Sequence, residues 1–113
     1  MSAINYYLNK GYTPVNKVSV ISGLNTISVW TPVTGKRVAL TGITIASNPG
    51  GTIAFYFDTT TGYKFAEFLV GGSDTISPNI GAIESTVVSG RIFAVANPSG
   101  TDGWNVSLTG FEL

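Results

Sequence analysis

The chain has 113 residues, no cysteine, no histidine, and six basic side chains against six acidic ones. Those absences exclude disulfides, thiol nucleophiles and thiolate metal sites, and they remove the commonest general base and the commonest zinc ligand. Charged residues make up 11% of the chain, against about 25% in a typical soluble domain. Part of the apolar surface is therefore expected to be covered by a partner, most simply by further copies of the chain.

The length suits one domain with a single core. Ile, Val and Thr together far outnumber Leu, and fourteen glycines and five prolines punctuate the chain at short intervals. This is an all-β composition. Residues 1–16, MSAINYYLNKGYTPVN, read as an N-terminal arm, because Tyr6, Tyr7, Leu8 and Tyr12 follow neither a helical nor a strand period. Two readings stand for it. One is a terminus that frays; the other is a segment that docks on a neighbour, since clustered tyrosines suit an interface better than water.

Residues 17–113 read as one domain. Lys17–Ser22 alternates as a first strand closed by Gly23, and Asn25–Trp30 follows with Ile27 and Val29 on one face and Trp30 on the other. Pro32 and Gly35 mark a turn. In Arg37–Ser47, Val38 and Leu40 share one face, and Ile43 and Ile45 then share a face of opposite parity, so the pattern slips at Gly42. A slip of one residue at a glycine predicts a β-bulge or bend. The same slip recurs at Gly110, between Val106-Leu108 and Phe111-Leu113, which predicts two long bent strands, adjacent in one sandwich.

Between them, Asn48-Pro49-Gly50-Gly51 is a turn, and Thr52–Asp58 alternates clearly, with Ile53, Phe55 and Phe57 facing one way. A short polar loop, Thr59–Tyr63, makes Lys64–Val70 its hairpin partner. Thr75–Ile80, interrupted by Pro78, belongs at a sheet edge. Ser85–Val88 is a short extended or irregular piece, with a single helical turn as its alternative. Arg91–Ala96 is a strand stopped by Asn97-Pro98-Ser99-Gly100, and Trp104–Leu113 is the last strand. About eight strands without a useful amphipathic helix predict a single antiparallel, jelly-roll-like β-sandwich.

The chain offers little for catalysis. A Ser-His-Asp triad is excluded, and no Ser-x-x-Lys motif is present. Asp58 and Glu67 flank one hairpin and are the only carboxylate pair worth testing for glycoside chemistry; strand-end solvation is the plainer role. Asp74 and Asp102 lie in separate Gly-containing loops without a calcium-binding pattern, and the glycine pairs precede no phosphate-binding helix. No enzyme activity, metal or cofactor is expected. Lys36-Arg37 is the only basic pair, which argues against a nucleic-acid partner. No apolar run approaches the ~18 residues that would span a bilayer, so no membrane partner is expected either. The N-terminus carries no secretory signal pattern. Trp30 and Trp104 stand at strand ends, as core lids, as interface anchors or as platforms for a sugar ring.

From about Trp30 onward, some three quarters of the chain, the order of motifs resembles a group of small tailed-phage virion proteins. The resemblance rests on Thr34-Gly35-Lys36-Arg37, Leu40-Thr41-Gly42, Asn48–Gly51, Phe55–Thr61 and Asn105–Gly110. It implies a capsid decoration (cement) or head-fibre component: sandwich-folded, a homotrimer, found on the virion after synthesis in the host cytoplasm, and without an active site. It also implies a major capsid protein or another virion protein as partner. Under that reading Tyr6, Tyr7, Leu8, Tyr12, Trp30 and Trp104 are the candidate partner-binding residues. The competing expectation is a receptor- or carbohydrate-binding module, which requires Trp30 or Trp104 to be exposed beside polar loops.

Overall fold

The computed structural model describes residues 3–22, 25–47, 50–58, 63–98 and 103–113. A seven-residue helix, α1 (Ala3–Asn9), precedes nine strands: β1 (Val15–Ser22), β2 (Asn25–Trp30), β3 (Val38–Ser47), β4 (Gly51–Phe57), β5 (Tyr63–Val70), β6 (Asp74–Ile76), β7 (Ile83–Glu84), β8 (Ile92–Pro98) and β9 (Gly103–Glu112). One sheet has the order β1-β9-β3-β6, with β7 also pairing β3; the other has the order β2-β8-β4-β5. Every pairing is antiparallel.

The pairings are nested. β1 meets β9, β2 meets β8, β3 meets β6 and β7, and β4 meets β5, as in one long folded ribbon. Rolling that ribbon brings β9 beside β3 and β8 beside β4. This is the jelly-roll arrangement, an all-β antiparallel sandwich in which β6 and β7 share a single strand position. The expected hairpin of β4 with β5 and the edge placement near Thr75 are both present.

Alternation builds the core between the sheets. Val38, Leu40, Ile43 and Ile45 of β3 meet Trp104, Val106 and Leu108 of β9, and Ile53 and Phe55 of β4 and Ile92, Ala94 and Ala96 of β8 close over them. Phe57 stacks on Phe65 at 4.1 Å. The slip at Gly42 is a real bulge. Leu40 pairs with Gly110 and Gly42 with Thr109, so Thr41 is the extra residue and the inward parity changes after it.

The matching slip at Gly110 has a different cause. β9 keeps unbroken register with β1 from Gly103 to Gly110, so Phe111 simply continues the outward-facing row of Asn105, Ser107 and Thr109. Phe111 is nevertheless buried, because the outer face is covered at that point together with Ala39 of β3. A change in which face is covered looks, in sequence, like a change in parity.

Trp30 is a second correction. A bulge between Ser28 and Trp30 makes Val29 the extra residue, so Trp30 turns inward with Val29 instead of lying on the opposite face. Other differences are smaller. β1 starts at Val15, two residues inside the arm boundary; the short extended piece is Ile83–Glu84, and a turn follows it at 88–89. The expected turns and loops lie outside the described residues at Gly23, Asn48-Pro49, Thr59–Gly62 and Ser99–Asp102.

Gly110 and Gly42 sit on either side of the β3–β9 bulge. A Cβ at Gly110 would land on the backbone carbonyl oxygen of Ala39, which the sheet holds in place. At Gly42 it would meet only the Thr109 side-chain hydroxyl, which can rotate away. Gly110→Ala is therefore expected to cost at least about 3 kcal/mol, and Gly42→Ala clearly less. Thermal unfolding of the two variants, side by side, checks this ordering.

Candidate docking surface

The N-terminal arm is helical where the sequence showed no period. A seven-residue helix has no stability of its own in water, so tertiary contacts must hold it. Its C-terminus is closed by Gly11, at φ 87°. The Tyr12 amide donates to the Tyr7 carbonyl at 3.1 Å, and the Gly11 amide donates to the Leu8 carbonyl at 3.0 Å. These two bonds, with the Tyr7 and Tyr12 rings 6.4 Å apart, form a Schellman cap with its hydrophobic contact. Gly11 followed by an aromatic residue five positions after another was the signal for this helix, and a search for periodicity passes over it.

Tyr7 clasps the helix to the sandwich. Its ring lies 4.9 Å from that of Phe111, tilted by 30°, and it is 3% exposed, closing a small second core with Ala39 and Leu113. Tyr6 meets Tyr7 edge-on at 5.1 Å. Of the four arm residues singled out from sequence, Tyr7 is thus structural. Tyr6, Leu8 and Tyr12 remain exposed, and Ile4 joins them: these side chains, the exposed ridge of the arm, flank Tyr7, with Tyr6 on one side, Tyr12 just past the helix, and Ile4 and Leu8 on the other side of α1. Ile4 and Leu8 stand one turn apart on it.

The ridge borders a cavity of about 180 Å³ walled by Tyr6, Tyr12, Lys10, Arg37 and Glu84 above Tyr7. The Lys10 ammonium sits 5.0 Å from the centre of the Tyr6 ring. Arg37 is oriented by its donation to the Ser85 carbonyl at 3.1 Å, and its backbone exchanges both hydrogen bonds with Leu113. Burial pushes the Tyr7 phenol above its ordinary value, Glu84 and Tyr6 push it the same way, and Arg37 opposes them. Lys10, Arg37, Glu84 and Ile4 were not among the candidates read from sequence; they come from three separate segments, the arm, the lead into β3 and β7, and only the fold unites them.

The two tryptophans are elsewhere. Trp30 and Trp104 are both fully buried between the sheets. The Trp30 indole N–H donates to Glu112 Oε2 at 3.0 Å, and Glu112 Oε1 accepts from the Val33 amide at 2.8 Å, which ties the two sheets together at one end. The Trp104 indole N–H has no hydrogen-bond partner among the described residues. Neither ring offers a face to a sugar or a partner surface, so the exposure required by the tryptophan-based recognition reading is not met.

Asp58 and Glu67 do not converge. Glu67 pairs with Ala54, four strand positions from Asp58, or about 13 Å, beyond the ~5–9.5 Å used by glycoside-cleaving pairs. Glu67 instead forms an exposed 3.5 Å ion pair with Lys64. Among the described residues no three acidic side chains gather as a metal site.

No protein-family model matches the chain, and no curated protein matches it in sequence. Its fold is similar to solved structures at low identity. One is a Bacillus endospore appendage protein of disulfide-linked pili, 13% identical, TM-score 0.47, covering 88% of this chain and 89% of that one. Another is a family 6 carbohydrate-binding module, 18% identical, TM-score 0.46, with 90% and 88% covered. A third is the particle of the extra small virus of the prawn Macrobrachium rosenbergii, 10% identical, TM-score 0.37, with 88% and 79% covered. At these values nothing carries over from those proteins to this chain.

Tyr7→Ala is expected to destabilise the protein by about 3 kcal/mol and to release α1. Amide exchange should then become fast over residues 3–12 and stay slow in β3, β8 and β9. Tyr7 also makes stability sensitive to alkali. Its folded pKa lies above 10.0, so its contribution is complete below pH 10 and is lost as the pH rises through the folded value. Denaturant unfolding from pH 8 to 11.5 should show that fall, reduced in Tyr7→Phe.

Proposed function

We propose that the chain is a non-enzymatic structural protein of a tailed-phage virion surface, docking on a shell protein through the α1 ridge and associating with copies of itself. The observation that carries this reading is the ridge itself. Ile4, Tyr6 and Leu8 of α1, and Tyr12 just past it, stand 36–50% exposed on an arm that a buried tyrosine pins to the sandwich. Aromatic and aliphatic anchors displayed at low entropy cost are what a protein interface uses. The sparse charge of the chain supports further buried contacts between copies. As mechanism, a protein bridging neighbouring shell subunits adds interface area that resists the pressure of packaged DNA. The resemblance of the motifs from Trp30 onward supplies the virion context.

A second reading, a receptor- or carbohydrate-binding module, is favoured by one feature. The cavity beside Tyr6 and Tyr12 combines aromatic walls with Lys10, Arg37 and Glu84, and such a mixture suits the apolar and hydroxyl faces of a sugar.

Co-sedimentation with tailed-phage heads stripped of accessory proteins tests the first reading. The wild-type chain is expected to bind, and Tyr6→Asp/Leu8→Asp, which keeps Tyr7 and its seat on Phe111, is expected to lose at least tenfold in affinity. Equal binding by both would remove the ridge from the contact. Failure of the wild type to bind heads, combined with glycan binding lost in Tyr12→Ala, would move the function to the second reading.

A further inference from the structure

A sheet edge carries a row of unpaired backbone donors and acceptors, and proteins blunt such edges with bulges, prolines, charges or brevity. Among the described residues, three of the four edge positions are treated in that way. β2 is bulged at Val29 and followed by Pro32; β5 is bulged at Phe65 and carries Lys64 and Glu67. β6 and β7 are three and two residues long. β1 is different. It is eight residues long, pairs with β9 in continuous register from Val15 to Ser22, and holds neither a bulge nor a proline; its one charge, Lys17, lies off the row that carries the exposed valines. Its outer row presents Val18 at 64% and Val20 at 65% exposure.

From this contrast we infer that β1 is a self-pairing edge: two copies of the chain join antiparallel through β1 about a two-fold axis at Ser19, continuing the five-stranded sheet into one of ten. The inference rests on the reading that copies associate, and names the surface by which they do so.

Valine placement and charge select the register. Two-fold pairing of strands with both outer faces on one side allows axes only at single residues. An axis at Lys17 would set the two ammonium groups directly opposite each other, which is repulsive. An axis at Ser19 places Val18 opposite Val20 of the second copy, and Val20 opposite its Val18, so the four exposed valines form one patch across the seam. It also moves the two Lys17 positions four residues apart, about 14 Å along the strands and beyond the ~8–10 Å over which salt lets charges act. Lys17 lies in the inward row, half-buried, and lines an open groove together with Glu112.

The seam joins residues 16–22 of the two strands and is about 24 Å long. That is at the low end of specific interfaces, under about 1,200 Å² in total, so the pair should dissociate on dilution. A mutual strand seam closes on itself as a dimer, in contrast to the trimer implied by the family resemblance.

The chain has no cysteine, so engineered thiols report cleanly. In Val18→Cys/Val20→Cys the paired positions face each other across the seam, and mild oxidation with diamide should convert most of the protein to a covalent dimer. Leu69→Cys, 80% exposed on β5, should remain mostly monomeric at the same concentration. In sedimentation, the wild type should show twice the chain mass at high concentration, and Val18→Lys/Val20→Lys should show the chain mass with an unchanged melting temperature. Cross-linking no faster than in Leu69→Cys, or a lysine variant that keeps the wild-type mass, would overturn the seam while leaving self-association standing. A wild type that stays monomeric at every concentration would overturn both. Should the lysine variant fail to fold, the cysteine variant decides.

Discussion

The fold depends on the approach of β9 to β3 at Gly110. There the two backbones come too close for any side chain, and the bulge at Thr41 sits directly opposite. The bulge lets Val38 and Leu40 on one side of it, and Ile43 and Ile45 on the other, all enter the core despite their opposite parity. The same pair of strands presents Ala39 and Phe111 on the outer face, side by side, as the seat for Tyr7. Without the close approach of these strands, the helix would lack its seat and the core its continuity.

That seat turns a disadvantage of the sequence into a surface. Apolar residues near a chain end are normally a liability. Here one tyrosine is buried, and the capped helix then holds its neighbours in a fixed orientation toward solvent. The ridge and the cavity beside it are one construction: Arg37 and Glu84 belong to the segments that flank β3, and Leu113 to the end of the chain, and all meet beneath the arm.

Much of this was legible in the sequence. Alternation in Thr52–Asp58, the glycine slip at Gly42 and the density of turn residues led to the sandwich and to the bulge, because burial between two sheets imposes a period of two on each strand. The order of the strands was less accessible, since pairing between β1 and β9 joins residues some ninety positions apart. Trp30 was misplaced because the bulge at Val29 carries no glycine to announce it. Phe111 was read as a second bulge because the cover over it comes from the opposite end of the chain. The helix escaped because a helix held by a single buried tyrosine needs no amphipathic period. The cavity lining was out of reach for a similar reason: its charges come from segments distant in sequence.

The position of the last two strands has a consequence for how the protein is made. β8 lies between β2 and β4, and β9 lies between β1 and β3, so the C-terminal segment fills the middle of both sheets. While the chain is still emerging from a ribosome, each sheet is split into two unconnected pieces, and the aromatic interior stays open to solvent. Neither half can close until β8 and β9 have emerged and crossed to the centre, a step dominated by long-range contacts and therefore slow. Until then the chain passes through a state with an exposed central gap, in which it depends most on chaperones and exchanges strands with a neighbour most readily.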